Sequence, residues 1–202
     1  MNEQSEENDD DDIRGAQTAC APLVTRRLLL RTPRMEDAAD IVPIANNRMI
    51  AEQTRRMPHP YGLADAQAWI SLAQKGMDKG EKAYLLTRKD DGQIVGAAGF
   101  VAINEIEFEI GYWIGEPYWS KGFATEAAQA LIDHVFINHA LDRIYGCCRV
   151  ANTPSRRVLE KCGFQHTGSG MCECAALNGA FASEEFVLER SVWESLKRWG
   201  AA

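Results

Sequence analysis

Several signals of common protein classes are absent from this chain of 202 residues. No apolar run approaches the roughly 18 residues that a membrane-spanning helix needs. The N-terminus lacks the positive charge and apolar core of a signal peptide. No run of Lys and Arg forms the basic stripe that is typical of nucleic-acid-binding domains. We therefore expect neither a membrane nor a nucleic acid as a partner.

Acidic residues are concentrated at the start of the chain. The formal net charge is −7, and seven acidic residues lie between Glu3 and Asp12 against one basic residue, Arg14. The rest of the chain is therefore close to neutral. Because residues 1–19 are polar and poor in aromatic side chains, they cannot bury enough apolar surface to order themselves. We expect a disordered acidic tail over residues 1–19, with an interaction arm as the alternative, and a single domain over residues 20–202.

The cysteines do not have the spacing of a zinc site. Cys147 and Cys148 are adjacent in a predicted strand, so their side chains point to opposite faces. Cys172 and Cys174 lie two apart, but no second pair lies at zinc-finger spacing. A metal site formed by this pair with His166 is the alternative to free thiols. We expect free cysteines, no metal and no acyl-cysteine intermediate.

Residues 106–136 change from a strand period to a helix period. Phe108, Ile110, Tyr112 and Ile114 alternate at period two. The apolar residues of the following segment recur at three- and four-residue spacing: Ala127, Ala128, Leu131, Ile132, Val135 and Phe136. The turn between the two patterns is rich in small residues. Such a turn points unpaired main-chain N–H groups at one place, which favours a phosphate.

The phosphate-binding motif is neither a Walker loop nor a dinucleotide fingerprint, because no Gly-Lys-Ser/Thr and no G-x-G-x-x-G is present at this turn. The segments E-I-G-Y-W-I and Y-W-S-K-G-F-A-T-E-A resemble motif A of the GCN5-related N-acetyltransferase (GNAT) superfamily. Within it they resemble the RimJ/RimL-like branch that acetylates ribosomal-protein N-termini. The blocks N-x-x-S-x-x-V-L-E-K-x-G-F after the helix and T-R-R-L-L-L-R-T-P-R-M-E-D-A near the start carry the same resemblance.

The resemblance implies an α+β fold: a mixed, mostly antiparallel sheet with one splayed parallel strand pair, flanked by helices. It implies acetyl-CoA as cosubstrate, a cytoplasmic location, and a monomer or homodimer. The residues that it places against the cofactor are Trp113, Ile114, Trp119, Lys121, Gly122, Phe123, Ala124, Thr125, Asn152 and Arg157. Trp119 stands where the family usually has Gln or Arg, which removes a polar contact from the turn.

Local patterns predict the remaining elements. We expect strands at Leu23 to Arg31, Lys82 to Arg88, Gln93 to Val101, Arg143 to Val150 and Glu185 to Ser191, and a hairpin between His166 and Ala182. Helices are expected after Pro33, from Asp65, after an N-cap at Thr153 and around Trp193 to Trp199. Asn46 to Tyr61 is expected to be irregular because Pro58 and Pro60 interrupt any helix there.

Amide formation from a thioester needs a neutral amine and a stabilised thiolate. Glu109, on the central strand, is the candidate base, and Glu107 on the same face is the alternative. Ser155 is the candidate donor to the thiolate, although it could merely help to cap its helix. Arg48, Arg55, Arg56 and His59 could face an acidic acceptor or simply be solvated.

The sequence therefore predicts an N-acetyltransferase that moves the acetyl group of acetyl-CoA to a primary amine, either a protein N-terminal α-amine or a small-molecule amine, by direct attack in a ternary complex. The alternative is a non-catalytic acyl-CoA-binding or sensing module on the same fold.

Overall fold

The computed structural model describes residues 21–76, 81–104 and 107–200. The predicted acidic tail and Cys20 lie outside these residues. The strands are β1 (Leu23–Val24), β2 (Leu28–Arg31), β3 (Lys82–Arg88), β4 (Ile94–Asn104), β5 (Glu107–Ile114), β6 (Arg143–Arg149), β7 (Gln165–Cys174) and β8 (Gly179–Glu189). The helices are α1 (Ala38–Ala45), α2 (Arg48–Ala51), α3 (Leu63–Gly76), α4 (Phe123–Asn138), α5 (Thr153–Lys161) and α6 (Arg190–Gly200).

The strands form one sheet in the order β1-β2-β3-β4-β5-β6-β8-β7. The pair β5–β6 is parallel and every other neighbouring pair is antiparallel. The parallel pair follows from the connection through α4, because two parallel strands need a crossover segment rather than a tight turn. The predicted fold class is confirmed: a mixed, mostly antiparallel sheet flanked by helices.

Each face of the sheet is covered by its own apolar cluster. On one face, α4 and α5 pack over β2 to β6 and β8, with Phe100, Leu131 and Phe186 at the centre. On the other face, α1 and α3 pack over β3 around Ile41, Ile70 and Leu85. Because side chains alternate along a strand, the even-numbered residues of β5 face the first cluster and the odd-numbered ones face the second side.

Four local predictions need correction. The first predicted strand is a hairpin of β1 and β2, since Thr25 turns the chain by bonding to Leu28. The segment 46–61 contains the one-turn helix α2, which Asn47 caps by accepting from Met49 N–H. The last strand is not separate, because β8 is the returning arm of the hairpin. It lies between β6 and β7, and so gains partners on both edges.

The fourth correction concerns α5. Its N-cap is Asn152 rather than Thr153: the Asn152 side-chain oxygen accepts from Ser155 N–H at 3.1 Å. Among the described residues, no helix has the length and apolar character to cross a membrane.

Candidate active site

The parallel pair β5–β6 opens towards the end of β5. Only three residue pairs are in register, Phe108 with Ile144, Glu109 with Tyr145 and Ile110 with Gly146. Beyond them β5 continues to Ile114 while pairing only with β4. The sheet therefore contains an open gap between Gly111–Ile114 on one side and the end of β6 on the other.

The turn after β5 leads to the start of α4 with its main-chain donors unoccupied. Ser120 and Gly122 have positive φ, 59° and 79°, which lifts the chain into the helix. Gly122 is the N-cap and no side chain caps this end. Within the described residues, the N–H groups of Gly122, Phe123, Ala124 and Thr125 have no acceptor. Four convergent donors at a helix start make a site for an anion.

Two side chains from the β1–β2 turn hold the start of α4 from outside. Glu126 accepts from Thr25 Oγ1 at 2.6 Å, from Arg27 N–H at 2.7 Å and from Arg27 Nε at 2.7 Å. Arg27 Nη1 donates to the Lys121 carbonyl at 2.8 Å and the guanidinium lies 4.6 Å from the Phe123 ring centroid. These contacts engage a carbonyl and side chains, so the N–H groups stay available.

Two predicted cofactor residues, Trp119 and Trp113, have other contacts, and a third, Arg157, is exposed. The Trp119 indole N–H donates to the Ile114 carbonyl at 2.6 Å, which ties the turn back to the end of β5. The side chain of Trp113 packs with the α1–α3 cluster on the face opposite α4. Arg157 is exposed on α5, whereas its neighbour Arg156 pairs with the buried Glu184.

Glu109 lies in the closed part of the β5–β6 pair, next to the gap, on the face opposite α4. Its side chain is 21% exposed, and both of its oxygens lie 3.0 Å from Nη2 of Arg55. The sequence left open whether Arg55 faces an acidic acceptor or is solvated; the structure pairs it with the candidate base. Arg55 also contacts Cys147, whose Sγ lies 3.5 Å from Cys172 Sγ.

Glu107, the alternative base, is more fully engaged. One oxygen accepts from Tyr145 at 2.5 Å and the other from Asn104 at 2.6 Å. These hydrogen bonds lower the pKa of Glu107 below its ordinary value, which weakens it as a proton acceptor. Glu109, whose two oxygens share the single partner Arg55, stays the candidate base, and Glu107 stays the alternative.

Ser155 lies in the first turn of α5, on the α4 side of the sheet. Its Oγ is 3.0 Å from the phenolic oxygen of Tyr112, which lies in β5 two residues beyond the last β5–β6 pair. Sequence reasoning placed Tyr112 in the strand but assigned it no role. The signal that was available is a hydroxyl on the core-facing side of an otherwise apolar strand face, where it needs a partner.

The candidate residues thus lie around one opening in the sheet. The free N–H groups lie at the start of α4, Ser155 and Tyr112 lie on the α4 face, and Glu109 lies on the opposite face. Such an arrangement can hold a long diphosphate-containing ligand through the gap and leave the other face for a second reactant.

Comparison with known proteins agrees with this geometry. Residues 27–165 match the acetyltransferase (GNAT) domain family. An uncharacterised N-acetyltransferase of Bacillus licheniformis is 31% identical over 149 residues, covering 72% of this chain and 83% of that protein. The ribosomal-protein-serine acetyltransferase of Escherichia coli is 32% identical over 100 residues, covering 48% of this chain and 53% of that protein.

Solved structures share the fold. An acetyltransferase structure from Vibrio cholerae superposes with a TM-score of 0.73 at 21% identity, covering 86% of this chain and 99% of that one. A GCN5-related N-acetyltransferase from Brucella melitensis superposes with a TM-score of 0.75 at 21% identity, covering 88% of this chain and 82% of that one. With its splayed β5–β6 pair and uncapped α4, this chain belongs to the GNAT acetyltransferase family.

Proposed function

We propose that this protein transfers the acetyl group of acetyl-CoA to a primary amine by direct attack in a ternary complex, in the cytoplasm. The observation that carries the proposal is the open gap in the sheet beside four unoccupied N–H donors. A diphosphate at those donors would direct the pantetheine arm into the gap. This role uses the main chain of Lys121 to Thr125.

The cofactor arm would lie along β5 past Trp113 and Ile114 and end near Asn152 and Ser155. The side-chain oxygen of Asn152 is engaged in capping α5, so its amide N–H₂ is the group left for the arm. Arg157, which is exposed on α5, would bind the phosphates of the cofactor.

Residues on the two faces of the sheet take part in the two halves of the reaction, proton removal from the amine and departure of the thiolate. The amine nitrogen attacks the thioester carbonyl carbon, forming the N–C bond, and the amine proton passes to Glu109 directly or through water. The C–S bond then breaks with its electron pair on sulfur. Ser155 donates a hydrogen bond or a proton to this thiolate.

The pKa of the acceptor favours an α-amine. Deprotonating a lysine side chain at pH 7.4 costs about 4 kcal/mol, against under about 1 kcal/mol for a chain N-terminus. The easier deprotonation asks less of a base that must first part from Arg55. A peptide N-terminus is therefore the first acceptor to test, as the similarity to a ribosomal-protein-serine acetyltransferase also suggests, and small-molecule amines come next.

The Arg55–Glu109 ion pair is also the observation that favours the alternative. Both oxygens of this carboxylate are occupied by the Arg55 guanidinium at 3.0 Å, so the pair must open before Glu109 can reach an amine proton. If the pair stays closed when acyl-CoA binds, the protein would be a binding or sensing module without turnover.

The test is incubation with acetyl-CoA and a panel of peptides and small amines, with mass detection of acetylated products and CoA release corrected for hydrolysis. Turnover of at least one amine supports the enzyme. Binding of acetyl-CoA without any acetylated amine supports the sensing module instead.

Glu109→Gln tests the assignment of the base. We expect a drop in kcat of about 100-fold at neutral pH with unchanged affinity for acetyl-CoA. Glu194→Gln, an exposed change on α6, is the matched control. An unchanged rate for Glu109→Gln excludes it as the base.

A further inference from the structure

Tyr112 and Ser155 make a hydrogen bond across the open part of the sheet. Tyr112 belongs to β5, on one side of the gap, and Ser155 belongs to the helix that follows β6, on the other side. Their hydroxyl oxygens are 3.0 Å apart, and the Tyr112 O–H also donates to the Ser155 carbonyl oxygen at the longer distance of 3.3 Å. In the described parts of the chain, Ser155 Oγ has no other partner.

Tyr112 stays a neutral phenol in this environment. Burial raises the pKa of its hydroxyl well above the usual range. A phenol that keeps its proton can donate a hydrogen bond without ionising. Its role is therefore to be sought in orienting a neighbour rather than in giving up a proton.

A serine hydroxyl carries a single proton, so its partner decides where that proton points. If Ser155 donates to Tyr112, no proton remains for a ligand in the gap. If Tyr112 donates to Ser155, the Ser155 proton is free to point into the gap. Without any partner, a serine in the first turns of a helix tends to bond back to a carbonyl of its own helix.

We propose that Tyr112 is a positioning residue for the leaving group: it donates its hydroxyl proton to Ser155 Oγ and so directs the Ser155 O–H at the CoA sulfur. This inference rests on the proposed function. As the C–S bond breaks and its electron pair moves to sulfur, Ser155 O–H hydrogen-bonds the thiolate. Tyr112 transfers no proton, and the amine proton still goes to Glu109.

Kinetics of Tyr112→Phe test this role. We expect kcat to fall about tenfold, the factor that one hydrogen bond of ordinary strength carries, with KM for acetyl-CoA unchanged. Because Tyr112 acts through Ser155, the double variant with Ser155→Ala is expected to be no slower than Ser155→Ala alone. Tyr84→Phe, which removes a buried hydroxyl from β3 two strands away, is the control. Independent, multiplying losses in the double variant would overturn the inference.

A second measurement does not depend on turnover. The thiol of bound CoA is titrated through the ultraviolet absorbance of its thiolate. We expect the bound thiol to have a lower pKa in the unaltered protein than in Tyr112→Phe, by about half a unit or more. Ser155→Ala is expected to raise it as well, and a rise in Ser155→Ala without any rise in Tyr112→Phe would overturn the positioning role.

The outcomes separate this inference from the proposed function. If CoA binds to all variants and the thiol titrates identically, the positioning role is wrong while the acyl-CoA site stands. If CoA does not bind to the unaltered protein, the proposed function fails and the positioning role fails with it.

Discussion

The starts of α4 and α5 differ in how their first N–H groups are used. At α5, Asn152 caps the helix by accepting from Ser155 N–H, and Pro154 removes another donor. At α4, Gly122 offers no side chain and the first N–H groups are left open. Both helices follow a strand of the same parallel pair. The difference indicates that one helix start is closed for stability and the other is open for a ligand.

An open helix start needs support from elsewhere. At α4 this comes from Glu126, which binds Thr25 and Arg27 of the β1–β2 turn. The bonds lie on the side of the helix rather than at its end. The start of α4 is therefore held in place while its N–H donors stay free. The start of α5 has its own side-chain cap and does not need such outside support.

The largest expected effect comes from placing a negative charge at the open start. Gly122→Asp adds a carboxylate beside the bound diphosphate, and we expect CoA affinity to fall about 100-fold, since like charges in contact cost several kcal/mol. Calorimetric titration with CoA measures this. Gly92→Asp, at a turn glycine with similar φ of 72° and open space around it, controls for backbone strain and net charge. Equal affinity in the two variants would refute the anion site.

A bulky neutral residue at position 122 tests the shape of the turn separately from its charge. In Gly122→Leu the positive φ becomes strained, and the new Cβ would lie 3.4 Å from Arg27 Nη2. We expect at least about a tenfold loss of CoA affinity. Gly92→Leu is the matched variant and is expected to bind CoA normally. Retained affinity in Gly122→Leu would count against a main-chain cradle at this turn.

Removing the cap from α5 is expected to affect stability instead of anion binding. Asn152→Ala deletes the oxygen that accepts from Ser155, and we expect the free energy of unfolding to drop by about 1 kcal/mol. Urea denaturation measures it. Affinity for inorganic diphosphate is expected to stay unchanged. A marked fall would mean that the anion binds at α5 and that the comparison between the two helix starts is wrong.

The smallest expected effect concerns the bonds of Glu126 to Thr25 and Arg27, which support the start of α4, and it depends on pH. Burial of Glu126 would raise its pKa, but the hydrogen bonds from Thr25 and Arg27 outweigh this and lower it. A lowered pKa in the folded state means that the stabilisation is present above the unfolded pKa and is lost as pH falls through the folded pKa.

Glu126→Gln is therefore expected to cost about 0.5 kcal/mol at pH 7 for this partly exposed pair. The difference from the unaltered protein is expected to shrink once the pH falls below the unfolded-state pKa of Glu, about 4.3, and to vanish below the lower pKa of folded Glu126. Thermal unfolding of both proteins across pH measures it. A difference that persists in acid would show that the charge of Glu126 does not carry the support.

Sequence patterns predicted the strand–turn–helix of β5 and α4 and the β3–β4 hairpin because both depend on neighbouring residues. They missed the break between β1 and β2. Thr25 makes this turn by bonding to Leu28, and Glu126, which lies 99 residues beyond Arg27, holds it in place. They also placed the N-cap of α5 one residue late. Thr153 and Asn152 are both good N-caps, and the backbone geometry decided between them.

Local spacing in the sequence determined which family the chain resembles, where the glycine turn lies and which residues of β5 share a face. Only the tertiary structure decided that Glu109 pairs with Arg55 and that Tyr112 bonds to Ser155, contacts across 54 and 43 positions of the chain. Periodicity tells which way a side chain points but not what it meets. That depends on how far two strands splay and which loop packs over them, and no local pattern encodes either.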